Sequence, residues 1–214
     1  MTHDTEKIEQ DVQAAIADGS AAITERVRQI TLKALSDGEL DSSALKQVMD
    51  AVVKGARQAI SRPDEKSTMK LKDAMQGLDE ALAAAATATQ LAVQEAANRT
   101  GEFSRESLKK RVDELASLES QFIATLVEAA RQSSGHVQAT LRDIANHAQS
   151  SGTAVGGQVK AALEELAHAV ADTTRGQVAA GAQTLRKEAA LLAGLAAGVL
   201  KGIADRLQPP GRSD

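Results

Sequence analysis

An eleven-residue step runs through the second half of the chain and constrains the fold more than any other feature. Counting in elevens from Leu115 gives Leu126, Val137, Ala148, Val159, Val170, Gly181, Leu192 and Ile203, and none of these nine positions is charged or large and polar. Eleven residues make three turns of a slightly relaxed α-helix, so the nine fall on one nearly straight stripe. Leu141, Gly152, Leu163, Thr174, Leu185, Ala196 and Leu207 form a second stripe with the same step. The pattern predicts an all-α chain, an elongated bundle of long amphipathic helices with coiled-coil-like packing that mixes eleven- and seven-residue repeats.

Composition agrees with that class and removes others. The 214 residues hold two Phe, no Tyr and no Trp, while Ala supplies about a fifth. Alanine is the best helix former but buries little apolar area, so stability must come from many small contacts along long seams or from a partner. With no Cys there is no disulfide, thiolate metal site or cysteine nucleophile. The net charge of -4 is mixed along the chain, with no basic stripe to meet a phosphate backbone, so nucleic acid is not an expected partner. The polar start has no signal-peptide pattern, and the longest uncharged apolar run, Ala189 to Leu200, is far shorter than the roughly 20 residues that span a bilayer. The expectation is a soluble, cytoplasmic protein.

Punctuation divides the chain. Proline stands only at 63, 209 and 210, leaving 145 consecutive residues without an obligatory breaker. Residues 1–62 are expected to form an N-terminal helical hairpin. Its first helix runs from Asp4 to Ser36 with a weak point at Gly19, and its second, capped by Asp41 or Ser42, presents Leu45, Val48, Met49, Val52, Val53, Ala56 and Ile60. Residues 63–101 are an alanine-rich helix whose seam is Leu71, Met75, Leu78, Leu82, Ala85, Thr89, Ala92 and Ala96. Phe103, Ser104 and Leu108 have the spacing of a capped helix start with a hydrophobic staple.

Residues 102–208 are expected to form a long helical hairpin, followed by a disordered tail at 209–214. Ser133-Ser134-Gly135 and Thr173 to Gly176 resemble turns, but the stripes keep phase across both, so they are read as soft spots. The reversal is placed at Ser150 to Gly157, which leaves arms of 46 and 50 residues, Ser104 to Gln149 and Gln158 to Leu207. One continuous helix from Ser104 to Leu207 is the alternative.

No motif supports catalysis, and no cofactor is implied. Glu165 and His168 match half of a helical di-iron site, but no second copy accompanies them. His136 and His147 project alike from a helix yet lie about 16 Å apart along it. Asp37 to Asp41 has alternating acids with its glycine at the wrong place for a calcium loop. Arg105, Lys109, Lys110 and Arg111 sit among Glu102, Glu106, Asp113 and Glu114 and read as a solvated, salt-bridged face.

The segment that asks for a specific explanation lies near the carboxyl end. Gly194, Gly198 and Gly202 recur every fourth residue, each at a cost of about 1 kcal/mol in a helix. Close backbone approach would compensate, so these glycines with Leu192, Val199 and Ile203 form the candidate interaction face.

Alanine-rich, aromatic-poor, cysteine-free helices with a Phe103-to-Phe122 region and a Gly/Ala/Leu-rich end resemble bacterial phasins, the coats of polyester granules. The chain is similar too to eleven-residue-repeat amphipathic proteins of the apolipoprotein and desiccation-protective kinds. Two non-enzymatic roles follow. The first is a structural or scaffolding protein that forms a homo-oligomer or binds another helical protein through the alanine seam and the glycine face. The second, which the resemblance implies, is an amphipathic coat on a lipid or polymer-granule surface.

Overall fold

The structure, a computed structural model, describes residues 4–18, 22–60, 64–99, 102–172 and 182–207, without the side chains of 168–172 and 182. Among these residues all regular structure is α-helical. The helices are α1 (Thr5–Ala17), α2 (Ile23–Ser36), α3 (Ser42–Ala59), α4 (Glu65–Asn98), α5 (Arg105–Ala116), α6 (Leu118–Arg131), α7 (Gly135–Ser151), α8 (Ala154–Asp172) and α9 (Ala182–Leu207).

Helix α4 is the axis of the bundle. Its 34 residues span about 50 Å, and α2, α8 and α9 pack along it while α5, α3 and α7 cover shorter stretches. Burial therefore reaches most of its circumference, from Leu71, Met75, Leu78 and Leu82 to Ala74, Ala81, Ala86, Ala88 and Val93. A helix apolar on nearly all sides is a core helix, and its alanines admit neighbours on several sides. The alanine seam is thus consumed inside the chain and is closed to an outside partner.

Cap chemistry sets the helix starts. Asp41, Asp64 and Ser104 are N-caps in extended backbone, and each side chain accepts the amide three residues on. Phe103 and Leu108, the expected staple, are both buried. The tightest approaches of a glycine to a neighbouring backbone fall at two glycines the sequence did not single out. A Cβ on Gly55 would lie 2.6 Å from the Glu9 carbonyl oxygen where α3 crosses α1, and one on Gly77 would collide with the Thr24 carbonyl where α4 crosses α2.

Two expected hairpins are corrected. The described residues of 1–62 form three helices, since α1 ends before Gly19 and packs on α3, while α2 packs mainly on α4. The described residues of 102–208 form five. The tight reversal comes at Ser133-Ser134, where α6 and α7 form an antiparallel pair. Ser134 is extended, the Gln138 carboxamide donates to the Ala130 and Ser133 carbonyls, and the Arg57 guanidinium reaches the Gln132 carbonyl at 3.2 Å. Gly152, at φ 79°, ends α7, but α7 and α8 do not pack along each other, because α8 departs to lie on α4. Neither the long hairpin nor the continuous helix is formed.

The eleven-residue stripe is nevertheless an inward stripe. Leu115, Leu126, Ala148, Val159 and Leu192 are buried and Val137 and Ile203 half-buried, but they are dealt out over α5 to α9, with at most two positions on one helix. Phase survives the turns because every short helix turns its apolar face to the same core, so it carries no information on continuity. Val170, Gly181 and Thr173 to Gly176 lie outside the residues whose side chains or backbone are described.

Candidate functional site

The candidate face on α9 is divided by the bundle. Leu192 is buried against the core, and Val199 and Ile203 are half-buried and packed on it. Gly194, Gly198 and Gly202 are exposed, and a Cβ built on any of them meets nothing within 4 Å among the described residues. Helical geometry explains the split, since Leu192, Val199 and Ile203 lie about 100 to 140° around the helix from Gly198. The six residues are therefore not one face. The three glycines continue a surface row with Leu191, which at 60% is the most exposed large apolar side chain among the described residues.

A buried polar junction about 80° around α9 from Gly198 fixes its rotation. Glu188, 8% exposed, points into the start of α5, where one carboxylate oxygen accepts the Ser107 hydroxyl at 2.6 Å, the Ser104 amide at 3.0 Å and the Ser104 hydroxyl. Burial raises the Glu188 carboxyl, but the Ser104 and Ser107 hydroxyls and the Ser104 amide outweigh it and hold the group below the ordinary carboxylate value. A negative charge at a helix N-terminus also meets the positive end of the α5 dipole.

Arg111 completes the junction one helical turn along. Its guanidinium donates to the Ala189 carbonyl on α9 at 2.8 Å, to the Leu40 carbonyl at 3.3 Å and to the Glu114 carboxylate at 2.8 Å. The Leu40 amide in turn donates to the Ala193 carbonyl at 3.3 Å. Arg111, expected in a solvated cluster, is 6% exposed, a correction that follows from its reach into the cleft between α9 and the α2–α3 turn. Its Nε is buried without a hydrogen-bond partner among the described residues.

A second junction organises the start of α8. Asp79 on α4 accepts the Ala154 and Val155 amides at 2.8 and 2.9 Å, and Thr153 caps the same helix by accepting the Gly156 amide while donating to Glu119 at 2.7 Å. Burial pushes the Asp79 carboxyl above its ordinary value, the two amides pull it down, and the Glu119 and Glu80 charges add to the rise. The groove beside it, about 790 Å³, has Met75, Phe122 and Ala148 at its base and Lys72, Asp143 and His147 on its rim.

The chemical candidates from the sequence are structural or apart. Glu165 accepts the carboxamides of Gln90 and of Gln94, the latter at 3.0 Å, which ties α8 to α4, and the His168 side chain lies outside the description. His136 hydrogen-bonds Thr68, and His147 contacts Ser151 on its own helix. Asp41 is spent as the cap of α3. Among the described residues no three His, Asp or Glu side chains group as metal ligands, and no helix is long and apolar enough to cross a membrane.

Sequence reasoning missed Glu188, Arg111, Asp79 and Glu119. The signal was faint: Glu188 is a lone acid on an otherwise apolar face, seven residues from Leu195, and the others resemble ordinary surface charges. No curated protein and no solved structure matches the chain. Residues 1–209 match the family model described as a family of unknown function, DUF6781, and the chain belongs to that family.

Proposed function

We propose that the chain is a non-enzymatic helical scaffolding protein that assembles with copies of itself through the outward face of α9. The observation that carries this reading is the open space around Gly194, Gly198 and Gly202. Three glycines cost a helix interior about 1 kcal/mol each, and no contact among the described residues uses their smoothness. A neighbouring helix would use it, because the absence of side chains allows axes to approach toward the short end of the range of about 8 to 10 Å. The Glu188 and Arg111 junction supports the same reading, since it spends buried polar groups on holding α9 at one rotation.

The coat reading, with α9 lying on a lipid or polyester surface, draws on the exposed Leu191 flanked by Arg186, Lys187, Lys201 and Arg206. Adsorption needs a wide apolar face, and here glycine occupies three of the outward positions.

Sedimentation velocity from low micromolar concentration upward, run beside flotation with liposomes and polyester particles, tests the proposal. Concentration-dependent association without flotation is the expected result. A monomer at every concentration, or a protein that floats and does not self-associate, would overturn it.

A further inference from the structure

We infer that the assembling partner is the α9 helix of a second copy, docked antiparallel so that Gly194 of each chain faces Gly198 of the other. The inference rests on the reading of α9 as an association face and adds its orientation and register. At about 100° per residue, Lys187, Leu191, Gly194, Gly198, Gly202 and Asp205 fall within about 80° of one another around α9. All six are exposed. The row thus has a cation at its amino end, an anion at its carboxyl end, and one large apolar side chain beside small residues.

That order is self-complementary in one direction only. Two rows laid antiparallel about Ala196 bring Lys187 of each copy opposite Asp205 of the other, Leu191 opposite Lys201, and Ala190 opposite Gly202. Leu191 then covers the methylene stem of Lys201 while the ammonium stays in water. A parallel, in-register pair would set Lys187 against Lys187 and Asp205 against Asp205. Neither Lys187 nor Asp205 forms an ion pair with another described residue, so both are available to the partner. Exposed ion pairs add little affinity, and their part is to select orientation. Because each copy offers the same patch, the contact is two-fold and closes as a dimer, with no open fibre.

The chain has no cysteine, so introduced thiols report the register without background. Gly194→Cys chains and Gly198→Cys chains of different tag length are mixed and oxidised. Both positions have room for a side chain, so the fold tolerates the changes. The mixed disulfide is expected to dominate over either like pair. Like pairs dominating would mean a parallel contact, and a statistical mixture would mean no register at all; either overturns the inference.

A charge exchange gives a second measurement. Lys187→Glu should weaken association at low salt on the order of tenfold, and adding Asp205→Lys in the same chain should restore it. If association persists in the wild type but ignores both variants, the antiparallel register is wrong and the scaffold reading stands. If the wild type does not associate, the scaffold reading fails first.

Discussion

The Glu188 carboxylate on α9 accepts the Ser107 hydroxyl on α5 at 2.6 Å, although 81 positions separate the two residues in the chain. That bond and its neighbours at Ser104 close α5 against α9 and satisfy donors that the first turn of α5 leaves open. They also turn Glu188 inward, which leaves Gly194, Gly198 and Gly202 facing out.

Removing the acceptor should therefore be expensive. Glu188→Ala strands one buried donor and two half-buried ones and is expected to lower stability by roughly 1–3 kcal/mol in urea unfolding at neutral pH. The acid dependence has a definite sign. The folded-state pKa of Glu188 lies below the ordinary value of 4.5, so its stabilising share is complete above that value and is lost as pH falls through the depressed folded pKa. The stability difference between wild type and Glu188→Gln should narrow as pH drops below 4.5. A constant difference would contradict the junction.

Asp79 titrates the other way. Its folded-state pKa is raised above 3.8, so the folded chain takes up the proton before the unfolded one, and Asp79 contributes stability as pH falls through the raised value toward 3.8. Asp79→Asn should cancel that contribution. On acidification from neutral pH the wild type should gain relative to the variant, measured as the difference in urea midpoints across the pH series, and a shift in the variant's favour would mean that Asp79 is not buried as described.

The glycines divide into two groups with opposite expected responses. Gly77→Ala drives a methyl into the Thr24 backbone carbonyl, which no rotamer change relieves, and should cost about 1–3 kcal/mol despite the better helix propensity. Gly55→Ala against Glu9 should behave likewise. Gly198→Ala meets open space and should stabilise the monomer by up to about 1 kcal/mol. Denaturation at a concentration below association separates the cases, and a stabilising Gly77→Ala would show that α2 and α4 do not cross there.

Much of the local structure is legible in the sequence because it is written locally. Asp41 and Ser104 announce their helices by cap chemistry, and Val48, Met49, Val52, Val53 and Ala56 name the buried face of α3. What could not be read was the choice between a soft spot and a turn at Ser133-Ser134, since phase is preserved in both and the deciding bonds, from Gln138 and Arg57, come from elsewhere. The α9 glycines were visible, but their direction was not. Outward or inward depends on Glu188 finding Ser104 and Ser107, a contact with no sequence signature.

Arg111 should resist conservative exchange. Its fork bridges the Leu40 and Ala189 carbonyls and the Glu114 carboxylate, a geometry that the point charge of lysine cannot reproduce. Arg111→Lys is expected to lose more than half of the stability lost in Arg111→Ala, and hydrogen exchange should quicken in the Leu40 amide, which bonds to Ala193. Full rescue by lysine would reduce the site to simple charge pairing.

The outward face of α9 is tested most directly by the solution mass of Gly198→Leu beside its unfolding midpoint. A leucine there has room in the monomer but fills the space a second helix would need. The expected result is a variant that sediments as a monomer at concentrations where the wild type associates, with a midpoint in dilute solution equal to or above that of the wild type. Association unchanged by Gly198→Leu, at an unchanged midpoint, would contradict the assignment of α9 as the surface through which this protein assembles.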